Sequence, residues 1–365
     1  MQCPQCRTPV HESCLFCPVC GTSVSAPQPR TPAAPPDVFG SLSARLHQLA
    51  STDRLEGFSA GEMFSEVFRS RTPQELEEYF LTGTSKATPP LEQVQTGWPK
   101  PWFFFRVLAF IVIVYFGFAW MMQTFGNPKV IPGMIVMGAL SVPLATLILF
   151  FEFNTPRNIS FHYTIMLMAF GGMLSLVLTH VGVSAVNLSW LGAMSAGILE
   201  ETAKLATVLI LVRPTRFPYM LNGLLLGAAV GAGFEVFEIA GYAFEKVLAS
   251  RSLLVMEAEI QLRAFTAPFG HAAWTAISAA ALWRVAEGRK LDPAFFFDIR
   301  FLRAFLIPVA LHMFYNSPLP SPFYIKEAIV AAVSWIVILG LLQQGLQQVR
   351  RLQQQSARTA LQRHA

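Results

Sequence analysis

From Phe103 onward the chain is dominated by eight apolar runs, at approximately 103–123, 130–152, 161–181, 188–212, 219–244, 264–286, 299–317 and 323–345. Each approaches the roughly 20 residues that a helix needs to cross the hydrocarbon layer of a bilayer. The sequence is 53% hydrophobic and only 13% charged, outside the range of ordinary soluble domains. It reads as an all-α, polytopic membrane bundle of about eight transmembrane helices.

The loops give the expected orientation. With the N-terminus inside, the cytosolic loops hold Arg157, then Arg213 and Arg216, then Arg284, Arg289, Lys290, Arg300 and Arg303, and the tail adds Arg350, Arg351, Arg358 and Arg363. The opposite loops hold Lys129, then Lys246, Arg251 and Arg263, then Lys326. This asymmetry places both termini in the cytosol of a cell membrane, expected to be bacterial. It also accounts for the net charge of +5 without a nucleic-acid partner, and no early apolar stretch reads as a cleavable signal. The segment 245–263 mixes apolar and charged residues, as a helix lying along the outer interface would.

All five cysteines precede the first span. Cys3, Cys6, Cys17 and Cys20 form two C-x-x-C knuckles separated by ten residues. Four thiolates in that pattern suit a closed tetrahedral Zn2+ site, structural because no coordination position is left open. Disulfides are disfavoured in a reducing cytosol. Cys14 and His11, between the knuckles, read as loop residues or substitute ligands. The expected organisation is a zinc ribbon at 1–22, a disordered Pro/Ala/Ser-rich linker at 23–37, a small helical unit at 38–85 and a second linker at 86–101. A membrane core at 102–346 and a basic cytosolic tail at 347–365 complete the chain. Within the helical unit, Ser59 with Glu62 and Thr72 with Glu75 read as capping boxes.

The spans contain charges that require a reason. An ionised side chain at the bilayer centre costs roughly 2.5–3.5 kcal/mol, so such groups face a protein interior or a wet cavity. The fourth run carries Glu200, Glu201 and Lys204, and the fifth Glu235 and Glu238. The sixth carries His271, and the seventh His312 and Asn316. At 1.5 Å per residue Glu200 lies roughly 18 Å along its helix, and the other groups fall in the outer half of the membrane. One cavity fed by four helices is therefore expected. Lys204 reads chiefly as an ion partner of Glu200 or Glu201. Glu200 and Glu201 are about 100° apart on a helix and so differ in role. Glu152, His162 and His180 fall at span ends, and Gly223, Gly227, Gly231 and Gly233 suit close helix packing.

Four motifs resemble one family. E-E-T-A-K at Glu200, G-A-G-F-E-V-F-E ending at Glu238, G-H-A-A-W-T at His271 and L-H-M-F-Y-N at His312 are similar to those of PrsW-type intramembrane proteases. That family is itself similar to type II CAAX prenyl proteases and the wider glutamic-type membrane peptidases. The resemblance covers roughly residues 100–345 and implies hydrolysis of a peptide bond in a membrane-anchored protein. In the family's type case this is an anti-sigma factor cut near the extracytoplasmic side. It marks Glu200, Glu201, Glu238, His271, His312 and Asn316 as the functional set. Glu235 stands where the family has a small residue, which leaves its role open.

Peptide hydrolysis needs an activated water, a stabilised oxyanion and a proton for the leaving amine. Glu200, with Glu201 as the alternative, is expected to be the general base. His312 and Asn316 would serve as oxyanion donors, with Glu238 and His271 positioning the water. No catalytic metal is expected, since no H-E-x-x-H helix is present. A metal-dependent membrane hydrolase and a proton-coupled transporter remain as other classes. The oligomeric state is not legible.

Overall fold

The apolar runs become long helices joined by short turns. The structure is a computed structural model that describes residues 2–3, 5–10, 17, 19–20, 38–53, 55–84 and 86–364. In chain order the helices are α1 (Val38–Leu49), α2 (Ala60–Met63), α3 (Pro73–Phe80), α4 (Phe103–Phe125), α5 (Ile131–Phe153), α6 (Phe161–Ala185) and α7 (Ser195–Leu211). They continue with α8 (Met220–Ser250), α9 (Leu253–Thr266), α10 (His271–Ala286), α11 (Ile299–Tyr315) and α12 (Ile325–His364). Among the described residues there is no strand, only an isolated bridge between Gln2 and Pro9. The fold is the all-α membrane bundle expected. The linker proposed at 23–37, and the loop residues His11 and Cys14, lie outside the described residues. The chain divides into two units, Met1–Leu42 and Ser43–Ala365.

Among the described residues five helical segments are long and apolar enough to cross a membrane: Phe103–Phe125, Pro128–Phe153, Phe161–Ala185, Met220–Ser250 and Pro322–Gln362. The protein is therefore an integral membrane protein. The other three expected spans are shorter helices of 17, 16 and 17 residues, namely α7, α10 and α11. Each is about 24–26 Å long. Local chemistry sets their ends. Gly192, at φ 56°, breaks the run ahead of α7, and Pro214 follows its end. Gly270 precedes α10, and the Asp298 carboxylate caps α11 by accepting the Arg300 N–H at 2.8 Å. These three short helices carry most of the polar candidates.

Helix α10 is buried along almost its whole length, and glycines on α8 make that possible. A Cβ on Gly231 would lie 2.2 Å from the His271 carbonyl oxygen, and one on Gly227 would lie 2.4 Å from that of Thr275. On the opposite face, a Cβ on Gly233 would meet the Met168 oxygen of α6 at 1.8 Å. With no hydrophobic drive between helices in lipid, such close backbone approach is a main source of association. It also fixes the start of α10, and hence His271, against the middle of α8.

Residues 43–101 belong to the same unit as the bundle. Ala50, Met63 and Val94 join its main apolar core. The Glu152 carboxylate at the end of α5 accepts hydrogen bonds from Tyr79 Oη (2.8 Å) and from the amides of Trp102 (2.7 Å), Phe103 (2.9 Å) and Phe104 (3.0 Å). It thereby caps α4, where four orphan N–H groups would otherwise face a poorly hydrated layer. The expected basic tail is a direct continuation of the last span within the 40-residue α12. Gln353 there donates to the carbonyls of Leu91 and Val94.

Candidate active site

Glu200 and Glu201 lie in the second turn of α7 and point apart, as adjacent helical residues must. Glu201 is 1% exposed and faces the bundle interior. Glu200 lines a cavity of about 270 Å³ with Glu235, Glu238, His271, His312 and Asn316. The start of α7, the middle of α8, the start of α10 and the end of α11 meet there. Glu201 sits behind this wall.

A continuous polar chain runs through the wall. Glu201 Oε1 accepts from Lys204 Nζ at 2.7 Å and lies 2.8 Å from His312 Nδ1. Lys204 Nζ lies 2.5 Å from His271 Nδ1, and His271 Nε2 lies 2.9 Å from Glu238 Oε2. Arg263 Nη1, from α9, reaches the same Glu238 oxygen at 3.3 Å. An ammonium has only donors, so His271 accepts at Nδ1 and donates Nε2–H to Glu238. His312 donates Nδ1–H to Glu201, which leaves its Nε2 lone pair facing the cavity. Lys204 is fully buried, and the Glu201 carboxylate and the His271 ring offset its burial. The ring of Trp274 stacks on His312 at 4.7 Å and fixes the plane of the imidazole.

One gap interrupts the chain. Glu200 Oε2 has no hydrogen-bond partner among the described residues, although it is inaccessible to solvent. It lies 3.9 Å from His271 Nδ1, 3.9 Å from His312 Nε2 and 4.0 Å from Lys204 Nζ. Those separations are too long for direct hydrogen bonds and suit a single bridging water.

The candidates therefore take distinct places. Glu238 holds His271, and Asn316 donates Nδ2–H to the Ala193 carbonyl at 3.3 Å beside the cavity. Glu235 accepts the His271 backbone N–H at 2.8 Å and is 4% exposed, so it caps α10 from the neighbouring helix. A Cβ on Gly270 would come within 2.8 Å of this carboxylate, which explains the glycine. His180 lies apart, its Nδ1 against the Leu176 carbonyl. Arg263, counted from sequence only as a loop charge, is a cavity residue that the sequence reading did not place at the site. It lines the cavity, stacks over Tyr242 at 3.6 Å and pairs with Glu259 at 2.6 Å. The i,i+4 spacing of Glu259 and Arg263 was the available signal.

Two sets of side chains at the site have the donor types of a metal centre. Glu200, His271 and His312 offer donor atoms all within 4.8 Å of one another, and Glu238 and Glu201 back the two imidazoles as outer-shell carboxylates back ligating histidines. The ammonium of Lys204, however, takes the Nδ1 lone pair that His271 would give to a metal. With Lys204 in that position the three residues do not fit a three-ligand centre. The alternative set of Glu235, Glu238 and His271 has Glu235 committed to the helix cap.

In the N-terminal unit the four knuckle cysteines come together with all Sγ atoms within 4.8 Å. Cys3 and Cys20 are 3.5 Å apart and Cys6 and Cys17 3.6 Å, far beyond the roughly 2.05 Å of a disulfide. Tetrahedral zinc with bonds of about 2.3 Å needs sulfurs about 3.8 Å apart, so this set fits a metal. The Thr8 hydroxyl, 3.2 Å from Cys6 Sγ, favours its thiolate and lowers that thiol to about 6.

A helical membrane bundle that gathers carboxylates and imidazoles around one cavity is the frame of an intramembrane enzyme or transporter, and the family match decides between them. The model of the PrsW family intramembrane metalloprotease matches residues 127–342, more than half of the chain, and the chain belongs to that family. No curated protein and no solved structure matches it. The protein is thus a membrane peptidase, with the bilayer as its environment and a membrane protein as its class of substrate.

Proposed function

We propose that the chain is a glutamic-type intramembrane peptidase in which Glu200 is the general base. The observation that carries this reading is the buried Glu200 Oε2, which no protein donor occupies and which faces two imidazole nitrogens at 3.9 Å. A water in the gap donates one hydrogen to Glu200 and the other to His312 Nε2. Its oxygen attacks the scissile carbonyl while Glu200 takes the proton. Asn316 stabilises the oxyanion, and protonated Glu200 returns the proton to the departing amine. Here His312 orients water, in contrast to the oxyanion role read from sequence, because Glu201 holds its Nδ1–H. Glu201 and Lys204 set the tautomers, and Glu238 anchors His271. The substrate proposed is a membrane-anchored regulator such as an anti-sigma factor, cut toward the extracytoplasmic side.

A second reading, in which Lys204 leaves His271 Nδ1 and a metal is held by Glu200, His271 and His312, is supported by their proximity and by the family's description as metalloproteases. A chelation experiment separates the two. The N-terminal cysteines would confuse it, so all four are changed to Ser in the full chain. That protein in proteoliposomes is expected to contain less than 0.1 equivalents of metal, about a tenth of a single-site load, and to keep cleaving in excess chelator. Loss of cleavage restored by one equivalent of zinc would reverse the ranking.

We also propose that Cys3, Cys6, Cys17 and Cys20 hold a structural zinc ion in the cytosol, where the ribbon recruits or regulates. The basic-loop asymmetry supports this orientation. Labelling metal-stripped Cys3 with an impermeant thiol reagent is expected to succeed in inverted vesicles and fail in intact cells. Labelling from outside intact cells would overturn the topology.

A further inference from the structure

A second cavity, of about 440 Å³, lies where residues 66–102 pack against the turn between α5 and α6. Its volume falls within the roughly 300–1,000 Å³ of small-ligand clefts. Three side chains on its wall have buried polar atoms without a hydrogen-bond partner: Arg71 Nε, Asn154 Nδ2 and Thr155 Oγ1. All three atoms can donate, and two can do nothing else. Asn154 is 2% exposed, and its Oδ1 is already taken by Asn222 Nδ2 at 2.8 Å. An unmade hydrogen bond at such a site is costly, and a bound group with acceptor oxygens would relieve it.

The carboxylates on the same wall are already satisfied. Glu152 accepts its four hydrogen bonds from Tyr79 and the start of α4, and Glu66 accepts from Arg69 at 3.1 Å and from Arg71 Nη2 at 2.8 Å. What remains unsatisfied is donor capacity, with the charge of Arg157 beside it, while Lys100 on the same wall pairs with Glu62 at 3.3 Å. Two guanidinium groups lie over aromatic rings, Arg71 over Trp102 at 4.2 Å and Arg157 over Tyr79 at 4.6 Å. Stacking of this kind fixes a guanidinium and leaves its edge to donate. Arg157 itself holds a left-handed backbone, φ 47°, a conformation that non-glycine residues keep only where the surroundings impose it.

We propose that this cavity binds the phosphate group of a phosphate ester, through Arg71, Asn154, Thr155 and Arg157. Several donors on one wall and two guanidinium groups match a phosphate, with its three or four acceptor oxygens, better than a planar carboxylate. The ligand ties the segment before the first span to the α5–α6 turn, at the end of the bundle away from the catalytic gap. The phosphate belongs either to a lipid headgroup or to a soluble ester, because Trp102 and Arg106 at the start of α4 mark a membrane boundary beside the cavity.

The test uses delipidated full-length protein with two probes. One arm is equilibrium dialysis with radiolabelled inorganic phosphate, and the other is native mass spectrometry with phosphatidylglycerol against phosphatidylcholine. One saturable equivalent is expected in at least one arm: phosphate binding identifies a soluble source, phosphatidylglycerol binding alone a headgroup. Asn154→Asp keeps the acceptor toward Asn222 and replaces the donor with a charge, and Thr155→Val removes only the hydroxyl. Each is expected to weaken binding about tenfold or more, with the melting temperature measured in parallel to establish folding. No saturable binding in either arm, or binding indifferent to both substitutions in folded protein, overturns the proposal.

Discussion

Glu200→Gln is expected to reduce cleavage in proteoliposomes by about a thousandfold, within the 10²–10⁴ range of a positioned acid–base group, and to leave the unfolding temperature unchanged. Both halves follow from one observation. Glu200 Oε2 has no hydrogen-bond partner among the described residues, so the amide breaks no bond made by that oxygen, yet it cannot take a proton from water. Glu201→Gln should differ. It also loses cleavage, but it weakens the contacts at 2.7 Å to Lys204 and 2.8 Å to His312, and should therefore melt lower. Comparing membrane proteomes from cells with wild-type protein and with the Glu200 variant should reveal substrate fragments present only with the former. Full cleavage by Glu200→Gln would remove that carboxylate from the chemistry and return attention to Glu201 or a metal.

The contrast between these neighbours shows what sequence carried and what it did not. Depth was legible only in part: Glu200 read as roughly 18 Å along a helix starting near residue 188, whereas α7 starts at Ser195 after the break at Gly192 and puts Glu200 in its second turn, nearer the layer of Glu238, His271 and His312. The angular separation of Glu200 and Glu201 was legible too, but not which of them faced the cavity, since that depends on how α7 rotates against α8 and α11. Helix length was overestimated for the fourth, sixth and seventh runs. Hydropathy sums over kinks, so Gly192 and Gly270 vanish into an apolar average although each interrupts a helix. Glu235 shows another limit. It read as a departure of unknown purpose because its partner is a backbone N–H on another helix, which no spacing rule within α8 can reveal. Arg263 was hidden for the same reason, contributed by an amphipathic helix outside the bundle's long elements.

Lys204→Met tests whether the buried chain works as one unit. The fully buried ammonium bridges Glu201 and His271, so its removal leaves an uncompensated carboxylate and a histidine acceptor without its donor. Breaking one side of a buried pair costs about 3–5 kcal/mol, and the variant should unfold correspondingly early in detergent titrations. Cleavage should also fall, because His271 Nδ1 loses its donor while Glu238 still holds Nε2–H, and the nitrogen that faces Glu200 changes character. Stability and catalysis can then be separated by a double variant. Lys204→Met with Glu201→Gln removes the stranded charge, and should recover much of the lost stability while cleavage stays near zero. Recovery of stability would assign Lys204 the compensation of the Glu201 charge, and the positioning role is read from the single Lys204→Met variant, whose cleavage should fall further than its loss of folded protein explains. A Lys204→Met protein as stable and as active as wild type would show that the ammonium neither compensates Glu201 nor sets His271, and the proton assignments drawn from it would fail.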